Sequence, residues 1–269
     1  MKKMKKLTVF IAFILIFSAL GGVVSAEVAI APSGVYGEET LLNLTPETQH
    51  AAFVNNDGIL TEKEQIAQSK YEFMSLSASE RSNIVSAQRA SVGTVTRASY
   101  DVYRIALLHF RQENGYYCGP ATLKQTINYL SSGANNPTQS ALAQAIGTTT
   151  AGSSSTRMAQ WLDGQGYPYY SVSVSTMTLD DISEYVYTDI MYYDNPLFGA
   201  ISTTSSNWLY PTGGHLLNIS GIQYNNSVSS DIEIEFTDPY ITYVSSSYSN
   251  GKYFRPIASY KNVMTSFWW

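Results

Sequence analysis

The chain of 269 residues holds one cysteine, Cys118. No disulfide can form within it, so its fold must be held by burial and hydrogen bonding, for which it is amply long. Cys118 stands in QENGYYCGPATLKQTINYL, residues 112–130. Leu123, Ile127 and Leu130 recur there at three- and four-residue steps, which predicts a helix over Cys118–Leu130 with one apolar face. Pro120 fits such a helix only in its first turn, where the missing N–H would be unpaired anyway. A cysteine in that turn feels the positive end of the helix macrodipole and the free backbone N–H groups, and both favour thiolate over thiol. Taken alone, a buried cysteine is more often a small hydrophobe.

The first residues, MKKMKK, are basic, Leu7–Leu20 is almost wholly apolar, and Val24-Ser25-Ala26 offers small residues at a cleavage position. That order predicts a secretory signal peptide over residues 1–26. The alternative is an uncleaved anchor, for which the apolar run is short of the usual ~20 residues. No later stretch is apolar enough to cross a membrane, so no stable membrane association is expected after cleavage. Residues 1–26 carry Lys2, Lys3, Lys5 and Lys6 and no acid; without them 12 basic and 21 acidic side chains remain, a net charge of −9. That charge argues against nucleic acid and anionic membrane surfaces as partners. Abundant Tyr, Ser, Thr and Asn suit an extracellular protein. Oligomeric state is not legible.

Residues 27–99 are poor in aromatics. Thr61–Met74 and Ser79–Arg89 look helical, each opening with a hydroxyl residue followed by Glu, the polar start that free N–H groups need. Ser91–Ser99 reads as a linker. The region is expected to be a helical propeptide or a spacer. Asn55, Asp57, Gly58 and Glu64 resemble part of an EF-hand loop, but Phe53 stands where the first carboxylate belongs, so an Asn-Asp-Gly turn before a helix is the better reading. No metal or cofactor is expected.

From Tyr100 the texture changes to short Tyr-, Val- and Ile-rich runs broken by Gly, Pro and Asn. The patterns predict a strand over Tyr103–Phe110, helices over Thr138–Ile146, Ser155–Leu162 and Leu179–Met191, and strands over Tyr169–Val174, Leu197–Ser202, His215–Gln223 and Ile232–Thr237. Helices first and antiparallel strands last imply an α+β fold with segregated layers.

A thiolate nucleophile needs a proton shuttle. Of the three histidines, His50 lies near the leader and His109 ends an apolar run, where a packed or edge histidine is expected. His215 follows Gly213-Gly214 at the predicted start of a strand. Asp238, in Thr237-Asp238-Pro239-Tyr240, ends the next strand. If those strands pair antiparallel, His215 and Asp238 fall close together, and Asp238 can hold one imidazole nitrogen while the other faces Cys118. Gln112, six positions before Cys118, can supply an amide donor to an oxyanion beside the Cys118 backbone N–H.

Gln112, Cys118-Gly119-Pro120-Ala121, Gly214-His215 and Asp238-Pro239 resemble the motifs of papain-like cysteine peptidases, most closely the secreted relatives of the double-glycine-leader, bacteriocin-processing peptidases. The resemblance covers about residues 100–269. It implies a papain-like α+β domain, with N-terminal helices packed against a C-terminal antiparallel sheet. It implies Cys118 as nucleophile, His215 as base and acid, Asp238 as its orienter, Gln112 in the oxyanion hole, and a peptide or protein substrate. Well-known members are domains of export ATPases, whereas this chain has no P-loop motif and carries its own export leader, so the double-glycine specificity does not transfer.

The expected function is a secreted thiol hydrolase of peptide bonds. The same constellation serves deamidation, transglutamination and other amide chemistry. The alternative is a catalytically silent extracellular binding or adhesion module on the same scaffold, with the aromatic stretches Tyr167–Tyr170 and Tyr240–Tyr253 lining a groove. A Cys/His/Asp zinc site lacks a short-spaced ligand pair, and neither G-x-S-x-G nor H-E-x-x-H occurs.

Overall fold

Apolar spacing and Pro120 together place a helix at Cys118–Leu130, and the computed structural model has it with those bounds. The structure describes residues 61–91, 101–203, 208–224 and 232–269. His50 and the Asn55–Gly58 turn lie outside them. The chain divides into two units, residues 1–74 and 75–269.

Helix α1 spans Glu62–Ser75, all but its last residue in the first unit. Its start is a reciprocal cap: Glu64 Oε2 accepts from the Thr61 N–H at 2.7 Å and from its hydroxyl at 2.6 Å. Glu64 is thus a helix-capping carboxylate.

The second unit opens with α2, Ala78–Ser91, one turn of which is capped by Ser77 and Glu80 rather than by Ser79. Then come β1 (Asp101–Arg104), α3 (Cys118–Leu130), α4 (Gln139–Ala145) and α5 (Ser155–Gly164). They are followed by β2 (Ser171–Val172), α6 (Leu179–Thr188), β3 (Leu197–Thr203) and β4 (Thr212–Tyr224). Last come β5 (Ile232–Thr237), β6 (Lys252–Pro256) and β7 (Met264–Trp268). The strands form one antiparallel sheet in the order β2-β7-β3-β4-β5-β6, with β1 paired to the far end of β4. Helices α3, α4 and α5 lie against this sheet, joined by a core in which Leu123, Ile127, Met158, Phe198 and Leu216 are buried. The α+β layering is as expected.

Several boundaries differ from the sequence reading. The run Tyr103–Phe110 is a strand only to Arg104. Beyond it Ile105 and Leu107 are buried and Ala106 and Leu108 exposed, the alternation of an extended chain. Its backbone acceptors then turn to side chains: Phe110 O takes Gln125 Nε2 and Arg111 O takes Gln139 Nε2. The Tyr169–Val174 strand shrinks to Ser171–Val172, with Tyr170 paired instead to Trp269 backbone to backbone. The helix from Leu179 becomes a π turn at Asp189–Tyr193, closed by Asp194 at φ 55°. Tyr169 and Tyr170 are each 1% exposed, so that part of the proposed aromatic groove is core. Strands β6 and β7 went unpredicted.

Helix α2 belongs to the second unit, although it lies before the expected Ser91–Ser99 linker, of which residues 92–99 lie outside the described ones. Ile84 and Val85 are buried. Arg81 pairs with Asp181 and, at 3.3 Å, with Glu184, both on α6. The Arg89 guanidinium lies over the Tyr224 ring, 3.8 Å from its centroid. Among the described residues no helix is long and apolar enough to cross a membrane.

Candidate active site

The site is built where the start of α3 meets the start of β4 and the end of β5. Cys118 is the first residue of α3 and 8% exposed. His215 lies within β4, opposite Ile201 of β3. The strand begins at Thr212, so Gly213 and Gly214 are part of it rather than a prelude to it. β4 and β5 pair antiparallel, with Asn218 opposite Thr237. That register brings Asp238 back beside His215, and His215 Nε2 lies 2.8 Å from Asp238 Oδ1. With Nε2 so engaged, Nδ1 is the ring nitrogen left for Cys118, whose thiol the histidine draws below its ordinary value.

The electrostatics follow from burial opposed by partners. Burial pushes the Cys118 thiol up, but the His215 hydrogen bond and charge and the backbone N–H groups of Leu216 and Gly119 outweigh it, and the thiol falls below its ordinary value. Burial alone would lower His215; the Asp238 charge and hydrogen bond, with a further contribution from Cys118, push it up to about 10. Burial would raise Asp238, yet His215, Tyr210 and the Tyr240 N–H hold it below the usual carboxylate range. The arrangement favours a thiolate beside an imidazolium.

A buried polar network joins α3 to β4. Asn218 of β4 donates from Nδ2 to Thr122 O and to Gln125 Oε1, each at 2.9 Å, and its Oδ1 accepts from the Thr126 hydroxyl at 2.9 Å. The Thr122 hydroxyl donates to Leu216 O at 3.0 Å. All four side chains, those of Thr122, Gln125, Thr126 and Asn218, are wholly buried. Such a satisfied network resists slippage of α3 along β4, which would separate Cys118 from His215. Gly119 lets the segment before α5 pack against the start of α3: a Cβ there would meet Ser153 Oγ at 2.4 Å, and Leu216 Cδ1 of β4 at 3.3 Å.

Gln112 is buried on the same side. Its backbone N–H donates to Pro239 O at 3.0 Å, next to Asp238, and its carbonyl accepts from the Tyr243 hydroxyl at 2.7 Å. The Gln139 side chain clamps both neighbours, accepting from Glu113 N–H and donating to Arg111 O. The Gln112 amide folds back, Nε2 donating to Asn114 O at 2.7 Å. One of its N–H bonds is thereby committed. Tyr116 and Tyr117 meet edge to face just before the helix, centroids 5.2 Å apart.

Sequence reasoning missed the groups around Asp238. The hydroxyls of Tyr210 and Tyr253 both donate to its Oδ2. His109, expected to be a packed histidine, holds the Asp238 carbonyl through Nε2 at 3.0 Å. It packs so closely on Gly251, at φ +71°, that a Cβ there would lie 2.0 Å from His109 Cδ2. No local pattern marks these residues, because their partners are far away in sequence. Among the described residues no cluster of His, Cys, Asp and Glu is suited to a metal ion.

A family model described as the Peptidase_C39 like family matches residues 105–263. A search of the curated proteins returns no match. Among solved structures, the peptidase domain of Streptococcus ComA, a bi-functional ABC transporter involved in a quorum sensing pathway, is similar at a TM-score of 0.40 and 15% identity. That similarity spans 62% of this chain and 96% of that one. The matched segment runs from just after β1 to just before β7 and takes in Gln112, Cys118, His215 and Asp238; on that match the chain belongs to the Peptidase_C39-like family of papain-like cysteine peptidases.

Proposed function

We propose that this protein is a secreted thiol hydrolase that cleaves peptide bonds through an acyl-enzyme on Cys118. The observation that carries this reading is the buried His215–Asp238 pair, 2.8 Å apart, with His215 drawing the Cys118 thiol at the start of α3 below its ordinary value. In the proposed cycle the Cys118 thiolate attacks the substrate carbonyl carbon and its π electrons move onto oxygen. The backbone N–H of Cys118 and the uncommitted N–H of Gln112 steady that oxyanion. The tetrahedral intermediate collapses as His215 gives its proton to the leaving amine, leaving a thioester. Water then loses a proton to His215 while attacking the thioester, and the acid product leaves with the thiolate restored. Asp238 keeps the imidazole oriented throughout.

The basic-apolar-small order of residues 1–26 supports export, and with it an extracellular site of action. Residues 27–99 then serve as a propeptide or spacer. The substrate is a peptide or protein.

Incubation of the full chain with a mixed peptide pool, read by mass spectrometry, tests the reading. Cleavage products and a transient acyl adduct on the Cys118 peptide are expected, both absent in Cys118→Ala. Equal cleavage by that variant would overturn it. Release of ammonia or amide exchange in place of cleavage would assign the same site to deamidation or transfer.

A further inference from the structure

The Asp238 carboxylate is wholly buried and accepts four hydrogen bonds. Oδ1 takes His215 Nε2 and the Tyr240 N–H, each at 2.8 Å. Oδ2 takes the Tyr210 hydroxyl at 2.5 Å and the Tyr253 hydroxyl at 2.7 Å. The two phenols come from different parts of the fold, Tyr210 from the segment before β4 and Tyr253 from β6. Burial, foremost, and the Asp238 charge push both phenols well above their ordinary value, so both stay protonated and remain donors.

We propose that Tyr210 and Tyr253 are positioning residues of the catalytic pair: their hydroxyls fix the rotation of the Asp238 carboxylate and set how tightly His215 holds its proton. The proposal rests on the reading of Cys118, His215 and Asp238 given above. A carboxylate is free to turn about its Cβ–Cγ bond unless both oxygens are held. Two donors on Oδ2 leave Oδ1 aimed at the imidazole. The same hydroxyls draw charge from the carboxylate, and they help it most when His215 is neutral and provides no counter-charge. Removing one therefore raises the pH at which the imidazolium loses its proton, and makes His215 a weaker acid toward a leaving amine.

Phenylalanine keeps the ring contacts, which are substantial: Tyr210 meets His215 and Tyr240 edge to face at 5.7 and 5.3 Å, and Tyr253 packs on Phe236 at 5.7 Å. Tyr260 supplies a control. Its hydroxyl is also buried, and among the described residues it takes no hydrogen-bond partner.

The experiment uses the full chain. Iodoacetamide alkylation of Cys118 is followed across the pH range, and the His215 ring is titrated by NMR in histidine-labelled protein. Tyr210→Phe and Tyr253→Phe should each move the upper inflection, where the imidazolium is lost, upward by about half to one pH unit. Tyr260→Phe should leave it in place. Should one variant fail to fold, the other decides. Titration of both variants at the wild-type value overturns the proposal, in a protein whose alkylation does depend on His215. If His215→Ala leaves alkylation unchanged, the active-site reading itself fails and this inference with it.

Discussion

His215 and Asp238 stand 23 residues apart in the chain and 2.8 Å apart in the fold, both nearly or wholly out of reach of water. The hairpin of β4 and β5 makes that contact, and its consequence is a histidine held positive far above its ordinary range.

That consequence has a sign that titration can check. The Asp238 charge offsets burial and raises His215 to about 10. Replacing Asp238 with Asn removes the charge and leaves the burial, so His215 should lose its proton at least two pH units lower, toward the ordinary ~6.5. Cys118 then loses its imidazolium partner and its thiol should titrate nearer the ordinary ~8.5. Iodoacetamide alkylation at pH 6 should fall by tenfold or more in Asp238→Asn and His215→Ala. Wild-type alkylation rates in both would contradict the pairing.

Asn218 ties α3 to β4. Asn218→Leu leaves Gln125 Oε1 buried without its Nδ2 donor. One orphaned buried acceptor costs about 1–3 kcal/mol, so the melting temperature should drop by roughly 2–10 °C. Calorimetry measures the loss. Because the network also sets the spacing of Cys118 and His215, alkylation at pH 6 should slow as well.

Glu184 behaves opposite to Asp181, although both face Arg81. Burial, outweighing Arg81, raises Glu184 to about 7. Burial also opposes the charge on Asp181, but the Thr178 hydrogen bonds and Arg81 outweigh it and hold that group low. A carboxyl whose folded pKa is raised contributes stability below its unfolded value of ~4.3 and loses it as pH climbs through about 7. Glu184→Gln should therefore match or exceed wild type in unfolding free energy at pH 8, by up to about 1 kcal/mol, and show no such advantage at pH 4.5. A variant destabilised at pH 8 but not at pH 4.5 would reverse the assignment.

Helix α2 packs within the second unit through Ile84, Val85, Arg81 and Arg89. A chain beginning at Tyr100 loses that packing and strands Asp181 and Glu184 without their cation. It should melt at least about 5 °C below a chain beginning at Ser75. Equal melting would mean that α2 is dispensable, as removal of the whole of residues 27–99 requires. Any maturation cut that keeps the domain at full stability should fall before Ser75, or leave α2 bound after a cut beyond it.

The local grammar was readable. Helix α3 was placed residue for residue, because its apolar period, its first-turn proline and its cysteine are all features of contiguous sequence. The capped start at Thr61–Glu64 and strand β5 were legible for the same reason. β6 and β7 were not: each is a five-residue run with few apolar alternations, and only its neighbours in the sheet stabilise it as a strand. The extended run after Arg104 has the alternation of a strand, yet Gln125 and Gln139 take two of its carbonyls before any strand can.

Sequence alone singled out the candidate reactive groups: one thiol at a helix start, one histidine beside paired glycines, one aspartate at a strand end, one glutamine upstream. Residue type and local period fix those, since nucleophilicity and helix geometry are properties of short stretches. The tertiary structure alone decided how they are held. It decided that Nε2 rather than Nδ1 meets Asp238, that Tyr210 and Tyr253 close the other carboxylate oxygen, that His109 secures the Asp238 carbonyl, and that Asn218 locks the helix to the strand. Each of these is a hydrogen bond between groups far apart in sequence, brought together by sheet register and by the packing of α3 and the connecting segments on the sheet, and register is a global outcome of burying one face of every strand at once.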